Sequence, residues 1–274
     1  MWKKIEHKWK GSDIELKVPD CVKKEYEDDD IICYPPAKEL FTAFNLCHFN
    51  KVRVVIIGQD PYPGEGEADG MAFSMKELKK DSNSLYSYII PRLKEVYGKD
   101  IHTDGGDLSN WAKQGVLLLN SALSYMVPIE KQIYKLNKEK KKTTKHVNKL
   151  KTAKGKAPHL KRIKEIEDKI SRLKSKNHPQ DNHWKDLIIK VLQRINNINN
   201  RKICFLLWGA HAVNIFNEAV DKPNHIVLTC AHPSPKANRA NFPFAKNHHF
   251  TTVNMIQSLQ NEEEIDWSIP GPKK

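Results

Sequence analysis

Cysteine is sparse and never paired at short spacing. The five cysteines, Cys21, Cys33, Cys47, Cys204 and Cys230, are odd in number and form no CxxC, which argues against a disulfide framework and against a zinc finger. Long apolar runs are missing too. The longest, Ile203 to Trp208, falls far short of the roughly 20 residues that span a bilayer, so no membrane contact is expected. The opening MWKKIEHKWK lacks the apolar core of a secretory signal. A soluble intracellular protein is expected, with no residue choosing between nucleus and cytoplasm. His248-His249 is the pairing that suggests a metal. It is read as a surface or phosphate-facing loop pair, and neither metal nor cofactor is expected.

Acidic residues fall short of basic ones. The 274 residues include 46 Lys+Arg and 33 Asp+Glu, a formal net charge of +13, which points to a polyanionic partner. The excess is confined to one block. Residues 129–177 hold 18 basic and 5 acidic residues, and the remainder holds 28 of each. Arginine is scarce, 7 residues against 39 lysines; an AT-rich genome would produce that balance without selection for function. Length and a 39% hydrophobic content suit one sizeable domain carrying an insertion.

Four short apolar runs read as strands: Val52–Ile57, Gly115–Leu119, Lys202–Trp208 and His225–Thr229. The first is β-branched and nearly uninterrupted, the mark of a strand buried on both faces. Helical patterns fall between and around them, at Ala37–Phe44, at residues 85–97, around Trp184, Leu187, Ile188, Val191 and Leu192, and at Phe250–Leu259. The alternation predicts an α/β fold: a central four-stranded parallel twisted sheet, flanked by helices on both faces.

The chain is organised around VRVVIIGQDPYPGEGEADGMAFS, residues 52–74. Gly58 ends the strand. A stiff polar loop follows at its carboxyl end, where open α/β sheets place their sites. Asp60 sits on that loop beside Tyr62, Asn120 ends the second strand, and His232 follows the fourth. Taken singly, each has an ordinary reading: Asp60 as a turn or helix cap, Asn120 as a turn cap, Phe73 as core, His-Pro-Ser-Pro as a tight turn. As a set they suit cleavage of an N-glycosidic bond, in which the base departs as an anion and the sugar becomes cationic. A carboxylate can stabilise the cation and hold water, and a neutral imidazole can donate to the developing oxyanion.

GQDPY with ADGMAFS, followed in order by QGVLLLNSALS (Gln114–Ser124), FLLWGAHA (Phe205–Ala212) and AHPSP (Ala231–Pro235), resembles the family-1 uracil-DNA glycosylases. The resemblance covers roughly residues 30–128 and 178–268. It implies hydrolysis of the uracil–deoxyribose bond in single- or double-stranded DNA, without a cofactor, by a monomer. It also implies roles. Asp60 orients water, and His232 donates to uracil O2 with help from the Gln59 backbone. Asn120 reads the O4 and N3 edge, Phe73 stacks on the base, and Tyr62 excludes thymine's methyl. Ser84 and Ser234 hold phosphates.

The chain departs from the family in three places. Pro63 stands where histidine is usual. KKDSNS, residues 79–84, replaces a proline-rich loop. Lys236 replaces the leucine that wedges into the duplex; its stem could enter the groove while its ammonium reaches a phosphate, with slower flipping or a single-strand preference as the result. The rival class is a non-catalytic DNA-binding or replication-accessory protein on the same fold.

The expected division is a catalytic domain at 1–128 and 178–274 with a lysine-rich insertion at 129–177. Ile163, Ile166, Ile170 and Leu173 form an apolar seam, Leu136, Val147 and Leu150 a weaker one, with Gly155 and Pro158 breaking the pattern between them. This reads as an inserted basic helical hairpin making an extra DNA or protein contact; disorder is the competing reading. Glu25–Asp30 reads as a solvated acidic run.

Overall fold

The computed structural model describes residues 1–80, 83–175, 182–237 and 242–271, leaving aside the Lys236 side chain. The chain divides into two compact units: Met1–Pro19 with Tyr34–Tyr125 and Asn182–Lys274, and Asp20–Cys33 with Met126–Asp181. No described helix is long and apolar enough to cross a membrane.

The first unit is built on a parallel sheet of β1 (Val54–Gly58), β2 (Val116–Asn120), β3 (Cys204–Trp208) and β4 (Ile226–Cys230), in the order β2-β1-β3-β4. Consecutive residues of β1 point to opposite faces, yet Val54, Val55, Ile56 and Ile57 are all at most 1% exposed. Both faces are therefore covered, which is why the strand reads as an unbroken apolar run. The edge strand β4 is only partly buried. In the register, Gly58 lies opposite Asn120 and Trp208 opposite Cys230, so the carboxyl ends of the strands finish side by side.

The expected helix at Ala37–Phe44 is broken into a 3-10 turn, Ala37–Glu39, and a short α2, Thr42–Leu46. Competing partners cause the break. The Thr42 hydroxyl donates to the Glu39 carbonyl at 2.8 Å and the Ala43 N–H turns to Gly70 O, so the helical ladder is not continued. A π-helical turn, Leu85–Ile89, leads into α3, Ile90–Tyr97. Helices α4 (Ser109–Lys113), α7 (Lys185–Asn196), α8 (Ala210–Ala219) and α9 (His249–Leu259) complete the unit. His249 begins α9 from a buried position, so the histidine pair is not a surface loop: His248 alone is exposed.

The second unit contains α1 (Asp20–Glu27), α5 (Ile129–Val147) and α6 (Ala153–Lys174). Helices α5 and α6 run antiparallel, with Arg162 paired to Glu139, Lys140 to Glu167, and the His146 and His159 rings 4.7 Å apart. Gln132 and Val147 of α5 and Ile166, Ile170 and Leu173 of α6 are buried. Gly155 and Pro158 do not form the turn; they lie inside α6, whose N-cap Thr152 accepts from the Gly155 N–H. As the sixth residue of α6, Pro158 gives up one backbone bond, the one its N–H would make to the Lys154 carbonyl. The acidic run is not solvated throughout either. Glu25 and Asp30 are buried, and Arg172 donates twice to Asp30, at 2.7 and 3.0 Å.

Candidate active site

At the carboxyl ends of the strands lies a cavity of about 280 Å³ lined by Gln59, Asp60, Tyr62, Phe73, Ser84, Asn120 and His232, together with Tyr125. Seven residues named from sequence thus meet at one place. Ser234 sits two residues beyond His232 in the turn after β4, and its N–H donates to the His232 carbonyl at 2.8 Å. Lys236 lies in the 3-10 turn Pro235–Ala237; its side chain is outside the described residues, as is part of the KKDSNS loop. A larger hollow of about 570 Å³ opens at the opposite edge of the sheet. Its Arg53 and Arg201 already donate to the carbonyls of Gln114, Val52 and Asn50, and no strand-end loop reaches it.

Gly58 makes room for Asn120. A Cβ on Gly58 would overlap Asn120 Oδ1 and approach Ala72 Cβ to 2.8 Å. The amide crosses that space into the cavity. Asn120 is only 5% exposed, and among the described residues its side chain has no hydrogen-bond partner. The amide lines the cavity, so its donor and acceptor are free for a ligand there.

The loop carrying Asp60 is held from behind. The Gln59 carbonyl accepts from the Ala122 N–H at 3.0 Å and from Ser121 Oγ at 3.1 Å. Ser121 Oγ is also 2.7 Å from His211 Nε2. The hydroxyl has one proton and gives it to Gln59, so His211 must donate through Nε2. Asp60 stands at the exposed mouth of the cavity. Crowding by protein pushes its carboxyl above the usual value, while His211 and a hydrogen bond from the Gln59 side chain pull it back.

Phe73 is no core residue. It is partly exposed and held at φ 62°, a left-handed backbone that a bulky side chain rarely adopts and that marks strain at working sites. The ADGMAFS loop enforces it. Asp69 accepts from Ser74 Oγ at 2.5 Å and from the Met71 N–H at 3.1 Å, and Ser74 Oγ accepts from the Leu108 N–H. Burial raises the Asp69 carboxyl to about 6. The Phe73 ring lies 5.2 Å from Trp208 and 6.0 Å from His232. Trp208 Nε1 in turn donates to His249 Nδ1 at 3.0 Å. Tyr62 approaches the same loop, its hydroxyl 3.4 Å from the Phe73 carbonyl.

His232 is half-buried. Burial lowers its pKa, and His211 lowers it further, so the ring is neutral near pH 7 and available as a donor. The cavity therefore offers a carboxylate, an unpartnered amide, a neutral imidazole and an aromatic face around a space that suits one flat ring. Among the described residues no group of three or more His, Cys, Asp or Glu is placed to hold a metal. Sequence reasoning passed over Ser121, His211, Asp69 and Tyr125, and placed His249 on the surface. The His of WGAHA and the Asp of ADG stood inside recognisable motifs, but nothing local says that His211 meets Ser121, 90 positions away.

Comparison with known proteins finds the family described as "Uracil DNA glycosylase superfamily" matched over residues 44–255. The chain is 32% identical to the uracil-DNA glycosylase of Oceanobacillus iheyensis over 258 residues, covering 94% of this chain and 89% of the relative. It is likewise 32% identical to that of Bacteroides thetaiotaomicron, covering 96% and 98%. Among solved structures, mimivirus uracil-DNA glycosylase superposes with a TM-score of 0.61 at 22% identity, covering 91% of this chain and 80% of that one, which is a likeness of fold.

Proposed function

The chain belongs to the uracil-DNA glycosylase superfamily, and from that membership and the cavity's geometry we propose that it excises uracil from DNA as a step in base excision repair. Water adds across the bond between deoxyribose C1′ and uracil N1. The base leaves as an anion that later takes up a proton, and an abasic site remains.

In this reading Asp60 holds the attacking water and offsets the positive charge on the sugar. His232, neutral, donates to uracil O2 as charge accumulates there; one such donor is worth about 10²–10³ in rate. The Gln59 backbone assists, its carbonyl side fixed by Ser121 and Ala122. Asn120 bonds the O4 and N3 edge, and cytosine would leave that amide unpaired, a larger penalty than a missing methylene. Flipping the base out of the stack costs about a few kcal/mol; stacking on Phe73 returns about 1–3 kcal/mol. Tyr62 fills the space beside C5. Ser84, Ser234 and Lys236 are assigned to phosphates or the groove, where contacts set register.

The observation that carries the reading is the buried, unpartnered Asn120 amide in one cavity with Asp60 and His232. The reading extends to a soluble intracellular monomer with a catalytic domain at 1–128 and 178–274, acting on single- or double-stranded DNA, and to an additional contact through 129–177. A protein that only bound DNA would have no need of a carboxylate, an imidazole and an amide gathered around a ring-sized space. The test is release of free uracil, with alkali-labile sites, from an oligonucleotide containing one deoxyuridine. Release from that strand and not from a matched thymidine strand is expected; binding without release would support the binding-only alternative.

A further inference from the structure

Helix α5 carries seven lysines, and five of them, Lys131, Lys135, Lys138, Lys142 and Lys145, recur at intervals of 4, 3, 4 and 3. At about 100° per residue they fall within a sector of about 80°. All five are exposed. The hairpin does not use them: its seam runs through Gln132 and Val147, and its cross-helix ion pairs use Lys140 and Glu139. Both acidic residues of α5, Glu130 and Glu139, lie outside the sector. Base composition can enrich lysine, but it does not gather lysines on one side of a helix and keep carboxylates off it.

We infer that this row is a phosphate-binding edge for DNA, an inference that rests on DNA being the substrate. From Lys131 to Lys145 the helix rises about 21 Å, a length of duplex axis that carries about six phosphates on each strand. Five cations on that length face about twelve phosphates of the two strands, enough for each to find an anion. An acidic protein partner fits less well, because protein interfaces are depleted in lysine and built around an apolar centre, and no apolar residue interrupts the row.

The test is a salt titration of binding to a uracil-free duplex of about 20 base pairs, since each phosphate neutralised contributes about 0.9 to the slope of log affinity against log salt. The full chain is compared with K131Q/K135Q/K138Q/K142Q/K145Q, and with a control that removes equal charge elsewhere on the hairpin, K151Q/K154Q/K161Q/K164Q/K174Q. Glutamine keeps helix propensity close to lysine's. If all five lysines engage, the row variant loses about 4.5 units of slope, so between about 50 and 200 mM salt the wild type weakens roughly 500-fold more than the variant. A loss of about two units or more, exceeding the control's by at least one, supports the edge. Any smaller difference overturns it and leaves a protein contact, or nothing, for the row. Uracil release from a short single strand at low salt is measured on all three proteins. Retained release in the variants shows that the catalytic unit is intact, and absence of release from the wild type would count against the proposed function and not against the edge.

Discussion

Replacing Gly58 with alanine should impair base reading although Gly58 has no side chain to touch the base. The added Cβ would overlap Asn120 Oδ1 and come within 2.8 Å of Ala72 Cβ. Ala72 cannot yield: it is fully buried, and its N–H is bonded to the Leu118 carbonyl at 3.0 Å. The Asn120 amide is the end of a side chain and must rotate. Overpacking of this kind costs about 1–3 kcal/mol of stability, which for a chain of this size lowers Tm by roughly 2–4 °C per kcal/mol. A displacement of about 1 Å in a positioning group costs about 10²-fold in rate, so kcat/KM for uracil release should fall by about that factor, while binding of uracil-free DNA stays near the wild-type value. A second substitution separates strain from misplacement. In Gly58→Ala/Asn120→Ala the overlap with the amide is gone while the 2.8 Å approach to Ala72 Cβ remains, so Tm should recover in part while activity stays low. Wild-type kcat/KM in Gly58→Ala would refute the claim that the amide's position, set by this close packing, reads the base.

Three other outcomes are expected. Tyr62→Ala opens a methyl-sized space beside C5 and should allow slow thymine excision, a discrimination change of about 1–3 kcal/mol; thymine release equal to wild type would place that barrier on another residue. The acid limb of kcat should reflect Asp60 and lie above the ordinary carboxylate value of 3.8, because burial raises that carboxyl; a midpoint below 3.8 in single-turnover pH profiles would contradict this. Stability should respond to His249, whose folded pKa is about 4 against 6.5 when unfolded. The unfolded chain binds the extra proton first, so acidification from pH 6.5 towards 4 removes about 3 kcal/mol. Asp69, with a folded value of about 6, works in the opposite direction over about 6 to 3.8, so the contribution of His249 is read as a difference. In denaturant unfolding, His249→Gln should lose about 2–3 kcal/mol less than wild type between pH 7 and 4.5; parallel losses would mean that the ring is protonated in the fold.

The sheet was legible because fully buried parallel strands write themselves as apolar runs, and Val54–Ile57 and Cys204–Trp208 are such runs. The parts of the site that follow strands were legible for the same reason: once the strands are placed, Asp60, Asn120 and His232 must lie at one edge. What escaped depends on partners far away in sequence. Asp30 looked solvated until Arg172, 142 positions on, was seen to donate to it. The Ala37–Phe44 pattern gave no sign that Gly70 would capture the Ala43 N–H. Gly155 and Pro158 suggested a turn because both disfavour helix interiors, yet both lie within α6, where Pro158 forfeits a single backbone bond. Phe73 alone looked like core, and its left-handed φ is a fact of the loop's closure by Asp69 and Ser74. His249 was taken for a surface residue because its bond to Trp208 spans 41 positions.

The central claim is that Asp60 and His232 act on the bond that breaks and are not needed to hold DNA. Single-turnover release of uracil from a single-stranded oligonucleotide tests it most directly, with wild type, Asp60→Asn and His232→Ala measured beside their affinities for the same strand. Each substitution should slow release by about 10²–10³-fold or more while changing affinity by less than about threefold, since phosphate contacts dominate binding. Release at the wild-type rate in either variant, or losses of affinity that match the losses of rate, would contradict the account.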